Sequence, residues 1–240
     1  MYRLYQKDEV AFALVWIAIY CLVSIPIRGR LGDQSPYMLI ALALIAAGLT
    51  VFIRKHRLQG RYGLDHWPRH TARFLYFIPV WILVTGNLWG GISLAYTGLY
   101  QVCAVLSMLL IGYIEEVIFR GFLFKGMLPK DGPGKSIIIV AITFGIGHIV
   151  NLFAGQANLE TIAQVCFAIA WGFIMTVTFY KSQSLLPCIL AHGLIDAFST
   201  FSRENPVMEW AYIIATIFIA LVYCSYLLRL PDTGKALPEK

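Results

Sequence analysis

The sequence predicts an all-α fold, a polytopic membrane bundle of about eight transmembrane helices, and three observations predict it. Of 240 residues, 59% are hydrophobic and only 13% charged, about half the charged share of an ordinary soluble domain. Mean hydropathy is +0.71, and the apolar residues fall into runs long enough to cross a hydrocarbon core about 30 Å thick. Lysine and arginine collect in alternate connections between those runs, as they do in the cytoplasmic loops of membrane proteins.

Residues 10–27 form the first predicted span. Met1 to Glu9 is polar, the apolar run after it is long, and no A-x-A site ends it, so it reads as a span and not as a cleavable signal. The other spans are predicted at about 37–53, 74–94, 99–127 (long, or bent), 136–153, 161–180, 185–201 and 207–228. Residues 54–73 read as an amphipathic surface stretch with Trp67-Pro68 as an interfacial anchor. Its His56, His66 and His70 are expected in solvent.

Eight spans place sixteen of the 19 lysines and arginines on one side and three (Arg28, Arg30, Arg203) on the other. That asymmetry predicts a multi-pass protein of the cell inner (plasma) membrane with both termini cytoplasmic. The net charge of +6 is explained by these loops, so no nucleic-acid partner is expected. Cys21, Cys103, Cys166, Cys188 and Cys224 lie singly beside or within apolar runs. Without CxxC spacing they predict neither a disulfide framework nor a thiolate metal site.

Within the fourth span stands Tyr113-Ile114-Glu115-Glu116-Val117-Ile118-Phe119-Arg120. Each charge costs roughly 2.5 to 3.5 kcal/mol at the centre of a span, even on the mild insertion scale. Such a group therefore marks a functional site by default. Adjacent helical residues point about 100° apart, so Glu115 and Glu116 are not expected to face one cavity. Arg120 follows Glu116 by one turn and is expected to neutralise it, leaving Glu115 as a general base.

The fifth span aligns Phe144 with His148 at i, i+4, with Gly145 and Gly147 between them to admit another backbone and Asn151 one turn on. The seventh aligns His192 with Asp196, after Ser184 as a possible cap and Pro187 in the first turn. Counted from the predicted cytoplasmic ends, Glu115, His148 and His192 fall within roughly 6 Å of one level. Groups from three helices at one depth can meet.

The ordered motifs EExxxR (Glu115 to Arg120), FxxxH (Phe144 to His148) and HxxxD (His192 to Asp196) resemble the CPBP family. That family comprises the type II CAAX prenyl endopeptidases and the bacterial bacteriocin-processing or Abi proteins. The run Ser184 to His192 resembles its final motif region, and the resemblance covers about residues 100–203. It implies a glutamic-type intramembrane endopeptidase needing no cofactor or metal. Its substrate would be a membrane-associated protein or peptide in the lipid bilayer. By that resemblance Glu115 and His148 activate water, His192 and position 196 stabilise the oxyanion, and Glu116, Arg120, Phe144 and Asn151 support them. Many family members carry Asn where this chain has Asp196, which leaves three other roles for Asp196: orienting His192, holding it as imidazolium, or staying protonated in a dry pocket.

The chain is accordingly divided into N-terminal spans with a cytoplasmic loop (1–98), a CPBP-like catalytic core (99–203) and a final span with a cytoplasmic tail (204–240). The polar cavity is expected to open to the cytoplasm. Two other classes use the same residues: a metal-dependent protease or metal transporter, and a non-catalytic bacteriocin-immunity or scaffold protein. The first lacks HExxH and any second half repeating the polar positions.

Overall fold

The computed structural model describes residues 1–149 and 158–231. Among these, nine α-helices carry the fold: α1 (Tyr2–Lys7), α2 (Glu9–Leu31), α3 (Pro36–Lys55), α4 (Ile78–Val84), α5 (Gly98–Glu116), α6 (Lys125–Gly147), α7 (Asn158–Ser182), α8 (Leu186–Ser199) and α9 (Pro206–Arg229). A π-helical segment, Val117–Phe124, joins α5 to α6 without a break. Six stretches are long and apolar enough to cross a membrane. One of them, Gly98–Gly147, reverses at Gly132, whose φ of 73° and ψ of 169° leave the helical region. The reversal lays Phe144 against Phe119 with ring centroids 5.2 Å apart. That stretch therefore supplies two passes. Among the described residues, α8 (Leu186–Ser199) is a further, shorter apolar helix.

The first two long helices start on side-chain caps: Asp8 accepts from the Ala11 amide before α2, and Ser35 accepts from Tyr37 before α3. Phe12 of α2 stacks on Phe52 of α3 at 4.8 Å and meets Phe122 of the π segment edge-on at 5.0 Å. Side chains such as Leu22, Leu44, Ile214 and Leu221 stay exposed on the outer surface, as a lipid-facing surface requires.

The expected helical span at 74–94 is not regular. The chain passes through a 3-10 turn, Thr71–Phe77, in which Leu75, Tyr76 and Phe77 all have positive φ, then the two-turn α4, then a second 3-10 turn, Gly86–Leu88. Broken backbone inside a bilayer survives only where protein satisfies its freed carbonyls. Tyrosines of α9 do so: Tyr212 donates to the Leu83 carbonyl (2.9 Å), Tyr223 to Phe74 (2.7 Å) and Tyr226 to Arg73 (2.9 Å). Gly86 admits the Tyr212 ring, which lies 2.0 Å from where a Cβ would stand.

Residues 56–70 are turns and irregular backbone folded onto the end of the bundle that carries the N-terminus. Tyr62 is fully buried there and donates to Glu9 (2.6 Å), and burial pushes its phenol up from the usual range. His56 stacks on Tyr2 at 3.7 Å, so it is a packed residue and not the solvated one expected; His66 and His70 are exposed. Ser184 does not cap α8; its hydroxyl donates to the His66 carbonyl (2.7 Å) and ties this surface to the helix start. The five cysteines are all free thiols.

Candidate active site

The site is assembled where α5 crosses α8. A Cβ on Gly112 would lie 2.4 Å from the Gly193 amide nitrogen, so the two backbones touch. That contact sits one turn from Glu116 and one residue from His192, and it brings a carboxylate and an imidazole together from positions 76 residues apart. Glu116 accepts from His192 Nδ1 at 2.8 Å and from Arg120 at 3.0 Å, through the same oxygen. All three side chains are buried. The guanidinium lies 4.2 Å above the Phe144 ring and donates to the Gly172 carbonyl at 3.4 Å.

The expected pairing of Glu116 with Arg120 is thus present. As expected, the two glutamates do not face one cavity, since Glu115 lines it and Glu116 does not; what the spacing does not predict is that both approach His192, from opposite sides. Glu115 Oε2 lies 3.7 Å and Asp196 Oδ2 3.5 Å from Nε2, while Glu116 holds Nδ1. Side-chain exposure rises in order: Glu116 0%, His192 5%, Glu115 12%, Asp196 25%. Glu116 is therefore sealed in, and Glu115 and Asp196 reach the cavity.

Phe144 separates the two histidines, with centroids 5.2 Å from His148 and 5.6 Å from His192. His148 ends α6 and its Nδ1 donates to the Phe144 carbonyl at 3.1 Å. A carbonyl only accepts, so the proton sits on Nδ1 and Nε2 is the basic nitrogen of the neutral ring. Gly145 packs against Ile169 of α7 as the motif predicts, whereas Gly147 has nothing within 4 Å of its Cβ direction and instead lines the cavity. Asn151 lies outside the described residues.

Sequence reasoning missed Tyr20 of α2, whose hydroxyl donates to Glu115 Oε1 at 2.8 Å. It also missed the π segment that begins directly after Glu116, a local geometry frequent at functional sites.

Glu115, His148, His192, Asp196 and Tyr20 all line one cavity of about 1520 Å³. That exceeds the usual small-molecule pocket of about 300–1,000 Å³ and fits a length of peptide chain. From the site the cavity continues past Arg28 and Asp33 to the exposed Ser199, Glu204 and Glu209. These lie at the end of the bundle opposite the N-terminus. The expected opening on the side of the termini is therefore corrected. Glu115 sits midway along its continuous helix, and residues of α2, α8 and the start of α9 line the cavity on the far side of it. Among the described residues, no three His, Cys, Asp or Glu side chains converge as ligands of a metal ion.

Residues 97–198 match the family model described as type II CAAX prenyl endopeptidase, Rce1-like. No curated protein and no solved structure matches the chain. The matched segment holds α5, the π segment, α6, α7 and nearly all of α8, hence every motif residue gathered at the cavity. Over that segment, less than half of the chain, this multi-pass membrane protein is similar to the type II CAAX prenyl endopeptidases.

Proposed function

We propose that the protein is an intramembrane endopeptidase that hydrolyses a peptide bond of a membrane-associated protein or peptide with water activated by Glu115 and His148. The observation that carries this reading is the division of labour around His192. One carboxylate, Glu116, is locked with Arg120 and holds Nδ1. A second, Glu115, stands in the cavity wall next to solvent-accessible volume.

In this mechanism water sits between Glu115 and the basic Nε2 of His148 and gives up a proton as it attacks the scissile carbonyl. His192, held as the imidazolium with its Nδ1–H on Glu116, donates its Nε2–H, whose nearest carboxylate oxygens stand back at 3.5 and 3.7 Å, to the developing oxyanion. Such a donor commonly contributes about 3–4 kcal/mol to the rate. Asp196 steadies the ring as a carboxylate partner and is not itself the donor, which accommodates Asp in place of Asn. The proton then passes to the leaving amine.

The membrane is read as the inner (plasma) membrane with both termini cytoplasmic, on the strength of the lysine and arginine asymmetry. The cavity then opens toward the opposite face. Quantitative comparison of cleaved membrane peptides in cells carrying wild type or Glu115→Ala tests the reading. One or more peptides are expected to vanish in the variant while the protein stays inserted at normal abundance. An unchanged peptide set removes proteolysis as the function.

A further inference from the structure

Glu115 reaches the cavity with two oxygens, and each is addressed from a different side. Oε2 faces the His192 ring, and Oε1 accepts the Tyr20 hydroxyl at 2.8 Å. Tyr20 belongs to α2, which lies outside the matched residues 97–198. It is 8% exposed, and its ring forms part of the cavity wall. Its own helix is fixed in register, because Phe12 and Phe122 meet edge-on at 5.0 Å. From that contact the two helices run in opposite directions, and eight residues along α2 or seven back along the π segment and α5 cover about 12 and 10 Å respectively. Tyr20 and Glu115 therefore arrive at one level by construction.

We propose that Tyr20 is a positioning residue for Glu115. Its hydroxyl holds one carboxylate oxygen so that the other faces the attacking water, and a helix outside the family segment thereby completes the site. The inference rests on Glu115 being the base. A carboxylate with three rotatable torsions in an open cavity samples several orientations, and the hydrogen bond selects one. Tyr20→Phe keeps the ring that packs in the wall and removes only the donor.

The probe is a synthetic peptide copying the membrane peptide whose cleavage is lost in Glu115→Ala, assayed with purified full-length protein in detergent. Tyr20→Phe is expected to lower kcat about 10- to 100-fold, as loss of a precise orientation does, with KM within about two-fold and an unchanged thermal melt. Wild-type kcat in Tyr20→Phe overturns the inference while leaving the proposed function intact. A rise in KM alone also overturns it, since Tyr20 would then contact substrate. A melt that falls along with kcat assigns Tyr20 to the fold and overturns the inference equally. If no peptide depends on Glu115, the protease reading fails first and this inference falls with it.

Discussion

Two ionic centres of this molecule use the same chemistry in opposite surroundings. Deep in the bundle, Glu116 and Arg120 pair at 3.0 Å with neither side chain exposed, roofed by the Phe144 ring. At the end that carries the N-terminus, Glu9 pairs with Arg61, their side chains 12% and 43% exposed, with the Tyr62 hydroxyl alongside. Water screens the second pair and replaces any partner that is removed. Nothing replaces a partner in the first. The deep centre is thus retained at a desolvation cost, and it fixes how three helices meet; the shallow one trims the end of the bundle.

Arg120→Ala breaks that comparison most severely if it is right. Stranding Glu116 is expected to cost about 3–5 kcal/mol, seen as a large fall in the detergent melting temperature. The double variant Glu116→Gln/Arg120→Met is expected to regain much of that loss, since no charge is left alone. A near-normal melt for Arg120→Ala would mean the deep pair is not what holds the crossing. Gly112→Ala sharpens the point at the contact itself. A methyl 2.4 Å from the Gly193 nitrogen forces α5 from α8, with about 1–3 kcal/mol of overpacking expected. Cleavage should fall further than the melt suggests, because His192 moves away from both glutamates. The smallest effect is expected at the shallow pair, where Arg61→Ala should shift stability by about 0.2–1 kcal/mol and less in high salt. A shift as large as that of Arg120→Ala would erase the distinction between the two centres.

Much of the site was legible because its rules are local. The i, i+4 spacings of Glu116 with Arg120, Phe144 with His148 and His192 with Asp196 place each pair on one helix face, and counting residues from the span ends brings the helices to one depth. The meeting of Glu115 and Asp196 at His192 follows from those two rules, whereas the contact of Glu116 with the same ring does not. Tyr20 escaped them. A tyrosine in an apolar run carries no charge to flag it, and no spacing links positions 20 and 115. The broken pass before α5 was hidden for a related reason. Pro79 and Gly86 signal irregularity within it, but the tyrosines that make the irregularity tolerable stand far along the chain, in α9. The direction of the cavity was misjudged because depth locates polar groups along a span. Which neighbouring helices leave space beside them is a property of packing alone.

The reversal at Gly132 has a consequence for how the chain tolerates insertions. Arg120 and Phe144, in contact through the guanidinium and the ring, stand twelve residues before and twelve after it. A Cβ at Gly132 or Gly134 would meet nothing within 4 Å, so an added residue at that tip only lengthens a loop. The same residue added in either arm turns everything beyond it by about 100° and slides Phe144 off the guanidinium. Length variation should therefore concentrate at the tip, while the two arms keep a fixed count.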